Sequence, residues 1–134
     1  MNPLIRVIPA FLVRLFAQPY DAGDSLQKAM DVVMRLRTER GLLSTLDLLA
    51  EDIRTDEQAK LNLDTYLRMV DAVAAAGLPA AEQPTLSLKP SSYTTVPFQH
   101  GGDAKGSREA VFAIAERAKQ KGVQLTLDME GRHW

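Results

Sequence analysis

From about residue 24 onward, the apolar positions of this chain switch repeatedly between a helical period and a period of two. Asp24 with Gln27 makes a capping-box pattern that predicts a helix running to about Arg40, and Gly41 is placed to take the left-handed position beyond its last turn. Thr55 with Gln58 repeats the box. There Ala59, Leu63, Leu67, Val70 and Ala74 fall on one face, and Gly77 ends the helix. A third helix is predicted from Ser107 as its N-cap, with Val111, Ile114, Ala115 and Ala118 as the buried stripe and Gly122 at its end.

An alternating run follows each of these glycines: "LLSTLDLL", "PTLSLK" and "VQLTLDME". Thr45-Leu46-Asp47-Leu48, Thr85-Leu86-Ser87-Leu88 and Thr126-Leu127-Asp128-Met129 share one pattern, with Leu or Met on one face and small or ionisable residues on the other. Pro90 has no amide hydrogen to give, so the second strand has to leave its ladder there.

Strands alternating with helices predict a parallel α/β sheet, whose sites gather at the carboxyl ends of the strands. Those ends carry Asp47 and Glu51, then Lys89, then Asp128 and Glu130. In a (β/α)8 barrel the Thr/Asp/Ser/Lys face would line the interior and its mouth, and the leucines would meet the helices. Closing a barrel takes about eight strands, so three of them fit either an incomplete part of a barrel or a small open sheet. The alternation alone leaves both open.

Before residue 24, "MNPLIRVIPAFLVRLFAQPY" places Leu4, Ile8, Phe11, Leu12 and Leu15 at helical spacing, with Arg6 and Arg14 available to another face. An amphipathic helix packed on its own domain is expected, with contact to a membrane surface as the alternative. Arg6, Pro9 and Arg14 interrupt the apolar run, which argues against both a signal peptide and a span.

With 134 residues, 46% hydrophobic and 25% charged, the chain has the composition of one folded domain rather than of a disordered or fibrous one. Sixteen basic against 17 acidic residues give a net charge of -1 and no electrostatic case for nucleic acid as a partner. The absence of cysteine excludes disulfides, thiol catalysis and Cys-ligated metals, and it suits a reducing compartment. A cytoplasmic location is therefore expected, with a peripheral place at the inner membrane as its variant.

Two sharper motifs fail on their own chemistry. Asp47, Glu51, Asp128 and Glu130 with His133 have the chemistry of a hard-metal site, but Lys89 among them would compete with the cation, so no metal is expected. "HGGDAKGS" has the glycine spacing of a phosphate loop, yet Ser107 directly follows Gly106 where a lysine is required. It reads as a solvated connection.

At "LSTLDLLAED", "LSLKPSSY" and "LTLDME" the sequence resembles the flavin-dependent proline dehydrogenases, whose distorted (β/α)8 barrel carries similar motifs in this order. The resemblance spans roughly Ala22 to Trp134 and corresponds to the N-terminal part of that domain: residues 1–23 an amphipathic helix region, residues 24–134 a helix and the first three barrel strands. It implies oxidation of L-proline to 1-pyrroline-5-carboxylate, with hydride passing to FAD and electrons to a quinone. By the same resemblance Lys89 would contact the substrate carboxylate and Asp47 would sit near the substrate. Glu51 would orient an arginine supplied from later in the family domain, and Asp128 and Met129 would lie against the flavin. Hydroxyproline or another cyclic amino acid is the alternative substrate.

The paired arginines and most flavin contacts of that family belong to later strands, so the expectation is a barrel cut partway. By itself such a chain should neither hold FAD tightly nor oxidise proline. The rival reading is a short, non-catalytic α/β interaction module. Both versions leave an open strand edge and a half-covered mouth, which predicts self-association.

Overall fold

In the computed structural model, residues 25–50, 53–96, 100 and 106–128 are described. Helix α1 (Leu26–Arg40) leads to strand β1 (Thr45–Asp47), helix α2 (Asp56–Ala75) to β2 (Thr85–Leu88), and helix α3 (Ser107–Lys121) to β3 (Leu125–Leu127). A 3-10 turn over Pro90–Tyr93 follows β2 directly, so the proline does end the ladder, at the first position of the turn. The predicted N-terminal amphipathic helix lies outside the described residues.

The strands form one parallel sheet in the order β1-β2-β3, as the alternation of elements predicts. Thr45 pairs with Thr85 and Asp47 with Ser87, which matches the shared pattern residue for residue. The third strand is displaced: Ser87 pairs with Thr126 and Leu88 with Leu127, so the motif of β3 is shifted by two residues against that of β2. A shift of two leaves every side chain on its face, whereas a shift of one would invert them all. Staggered neighbours are what a sheet needs in order to curl toward a barrel.

The leucine face carries the core. Leu46, Leu86 and Leu88 pack with Tyr66, Met69, Val70 and Val73 of α2 and with Ala110, Ile114 and Ala118 of α3, while Met30 and Val33 add α1 at the margin. Val111 and Ala115 of α3 are only partly buried, so the predicted stripe is centred on Ile114 and Ala118 but leans toward Ala110. In α2 the buried arc runs through Asn62, Tyr66, Met69, Val70 and Val73, one residue earlier than the Ala59, Leu63, Leu67, Val70 and Ala74 series. Leu63, Leu67 and Ala74 remain packed at its edge, because the apolar arc of this helix is wider than one stripe.

Helix ends explain most of the local geometry. The Thr55 capping box is present, with the Gln58 amide donating to the Thr55 hydroxyl at 3.3 Å and the Thr55 amide donating to the Gln58 side chain at 3.3 Å. The other two caps differ from expectation. Ser25, not Asp24, caps α1, its hydroxyl accepting from the Lys28 amide. Gly106 occupies the cap of α3, because Ser107 turns its hydroxyl to the Pro90 carbonyl at 2.7 Å. Gly41, Gly77 and Gly122 all adopt positive φ, near 70°, where a side chain would crowd the backbone. Arg117 bridges α3 to α2 through a bidentate pair with Asp71, and Arg37 reaches Glu82 in the loop before β2.

Candidate active site

Asp47, Lys89 and Asp128 come from three different strand ends and meet on the polar face of the sheet. Asp47 is the last residue of β1, Lys89 follows the last residue of β2, and Asp128 follows the last residue of β3. The Lys89 ammonium lies 2.5 Å from one Asp47 oxygen and 3.4 Å from one Asp128 oxygen. The register shift makes this possible: the Asp128 amide donates to the Leu88 carbonyl at 2.9 Å, which brings Asp128 level with Lys89 rather than with Ser87.

Burial grades the three groups. The Lys89 side chain retains 10% exposure, Asp47 27% and Asp128 52%, so the cation is enclosed and the outer carboxylate is wet. The hydrogen bond that Lys89 donates to Asp47 is the main reason its pKa is raised above the ordinary value; burial opposes the rise, and Asp128 adds to it. Lys89 therefore carries its charge throughout the neutral range. An ammonium has three donors, and two carboxylates leave one direction for a further acceptor at the mouth.

A layer that the sequence reading missed supports these groups. Tyr66 of α2 is fully buried, and its hydroxyl lies 3.1 Å from Asp47 Oδ1 and 2.6 Å from the Ser87 carbonyl while accepting the Leu48 amide at 3.3 Å. One turn earlier, Asn62 donates to the Ser92 carbonyl at 2.8 Å and holds the turn that follows Lys89. Tyr93 packs edge-on against Tyr66, with ring centroids 5.8 Å apart. Burial raises the pKa of both phenols above the usual tyrosine range. The Tyr93 hydroxyl and the Ser92 hydroxyl are buried with no partner among the described residues. The available signal was the i, i+4 spacing of Asn62 and Tyr66 in line with Val70 and Val73, which places two polar side chains on a buried arc.

Glu51 and Met129, the other two predicted site residues, lie outside the described residues. The open polar face beside the triad carries Thr45, Thr85, Ser87 and Thr126, with the Thr45 and Thr85 hydroxyls 2.8 Å apart.

The family model for proline dehydrogenase matches residues 29–133. The chain belongs to the proline dehydrogenase family. A proline dehydrogenase of Deinococcus radiodurans is 32% identical over 114 residues, covering 85% of this chain and 34% of that protein. Proline dehydrogenase 1 of Bacillus subtilis subsp. natto is 30% identical over 129 residues, covering 95% of this chain and 39% of that protein. This member thus spans a little over a third of the length of the curated relatives it matches. Among solved structures, proline utilization A from Bdellovibrio bacteriovorus, inactivated by N-propargylglycine, aligns with a TM-score of 0.65 at 18% identity. That alignment covers 83% of this chain and 13% of the other. At this identity the likeness speaks for the fold, and it sets the three parallel strands within an α/β architecture of the TIM-barrel kind. No helix among the described residues is long and apolar enough to cross a membrane.

Proposed function

We propose that this chain supplies the first strands of a site that oxidises L-proline to 1-pyrroline-5-carboxylate, with Lys89 gripping the substrate carboxylate. The observation that carries the reading is the enclosed Lys89 ammonium, kept charged by Asp47 and Asp128 at the carboxyl ends of three parallel strands. A small amino acid bound there places its carboxylate on the remaining donor of the lysine. Asp47 stands beside it. Glu51 orients an arginine from elsewhere in the family domain, and hydroxyproline is the competing substrate.

The polar face fits a flavin on chemical grounds: a strip of threonine and serine hydroxyls ends in the half-exposed Asp128, offering donors and acceptors to a ring edge. Asp128 would hold FAD on that side, and Met129 is the second residue assigned to the flavin. When bound, FAD supplies the hydride acceptor, with a quinone as the onward electron acceptor. The 134-residue chain alone neither retains FAD nor oxidises proline, since its matched residues furnish one side of the site. The outer edges of β1 and β3, which pair with no further strand among the described residues, and the exposed Leu43, Leu49 and Leu127 favour self-association when it is isolated.

The test is a chimera in which residues 29–133 replace the matched segment of the Deinococcus radiodurans proline dehydrogenase. It should bind flavin and reduce a dye with L-proline, and Lys89→Ala should raise the KM for L-proline at least about tenfold. A flavin-loaded chimera whose KM ignores Lys89→Ala contradicts the assignment.

A further inference from the structure

Tyr66 touches the site from below, and its three hydroxyl contacts do different things. The Leu48 amide donates to the phenol oxygen, and the single phenol proton is shared in a forked bond between the Ser87 carbonyl at 2.6 Å and Asp47 Oδ1 at 3.1 Å, so the two backbone contacts fix the phenol oxygen relative to the sheet. Asp47 Oδ1 is the contact that can move. Asp47 stands on the open face of β1, and its other oxygen holds Lys89. Without a neighbour on Oδ1, the carboxylate is free to rotate to another staggered well toward solvent and withdraw from the ammonium.

We propose that Tyr66 is a positioning residue: by holding Oδ1 of Asp47 it turns Oδ2 toward Lys89 and so fixes the ammonium at the mouth of the site. Its catalytic meaning rests on the proline-oxidising reading, but its geometry does not. Tyr66 acts through Asp47 and touches no ligand itself. Among the described residues the titratable groups around it are Asp47, Lys89 and Asp128 from the strand ends and Tyr93 from the turn, and Asp47 is the one that contacts both the phenol and the ammonium. The edge-on ring of Tyr93 keeps Tyr66 from swinging away.

The experiment reads Lys89 directly. The full chain, labelled at lysine, is titrated by NMR, and the Lys89 signal is identified by its loss in Lys89→Arg. In Tyr66→Phe the Lys89 midpoint should fall by about half a pH unit or more toward the ordinary lysine value, with Asp47→Asn giving the limiting shift. Val70→Ala is the control, since it opens a cavity on the same buried arc and removes no polar group. It should lower the melting temperature and leave the Lys89 midpoint in place. An unchanged midpoint in Tyr66→Phe overturns the proposal, and so does an equal shift in Val70→Ala.

A second measurement does not depend on Tyr66→Phe folding: the Tyr66 13Cζ resonance should move in Asp47→Asn, and a resonance that stays put overturns the contact. Neither readout involves proline or flavin, so a failure here leaves the oxidation reading standing. A failure of the chimera in turn leaves the tyrosine contact untouched.

Discussion

Asp47 and Lys89 are 42 residues apart in sequence and 2.5 Å apart in space. The register accounts for it. Asp47 pairs with Ser87, and Lys89 stands one pleat further along the same face of the sheet, so the lysine needs only to lean back toward β1. Both ends of this pair are held from the backbone side, Asp47 by Tyr66 and the turn after Lys89 by Asn62.

Removing the charge of Asp47 should therefore cost more than a surface pair is worth and less than a fully buried one. Asp47→Asn is expected to destabilise the chain by about 1–3 kcal/mol, read as a lower urea midpoint at unchanged slope. A change indistinguishable from zero would mean that Asp128 alone satisfies the ammonium.

The pH dependence has a definite sign. The folded-state pKa of Lys89 lies above the ordinary 10.5, so the folded chain holds the proton more tightly than the unfolded one. The stabilisation is fully present below pH 10.5 and is lost as pH rises through the folded-state value. The stability gap between the wild type and Lys89→Met should be flat from pH 7 to about 10 and should close above it. A gap that widens at alkaline pH contradicts the ion-pair geometry.

Asn62→Ala should cost about 1–3 kcal/mol, because the buried Ser92 carbonyl loses its donor and a cavity opens beside it. Amides of the turn over 90–93 should also exchange faster with solvent. Exchange unchanged in that turn while global stability falls would show that Asn62 serves the core alone.

Thr55→Ala removes half of the capping box of α2 and should cost about 1 kcal/mol. Thermal unfolding checks it, and Thr55→Ser should recover most of the loss.

The alternation of Thr, Leu and Asp in the strands, and the glycines that end the helices, made the three units and the leucine-inward face legible from sequence. The triad was legible too, since three ionisable residues at successive strand ends must share a mouth if the sheet is parallel. Its closeness was not. A slip of two residues between β2 and β3 leaves every face unchanged, so no period distinguishes Asp128 level with Ser87 from Asp128 level with Lys89. Tyr66 and Asn62 escaped notice for a related reason: a wide apolar arc on α2 lets the buried line be drawn one residue either way, and both residues are also at home on a wet face. The cap of α3 shows tertiary context outweighing local preference, with Ser107 recruited by the Pro90 carbonyl and its capping place left to glycine.

The account stands on Lys89 recognising a carboxylate. The most direct measurement compares L-proline with pyrrolidine, which keeps the ring and lacks the carboxylate, in the flavin-loaded chimera with and without Lys89→Met. The account predicts a preference for L-proline in kcat/KM that collapses at least about tenfold in Lys89→Met, with pyrrolidine turnover little changed. Equal losses on both compounds, with the preference intact, would contradict it.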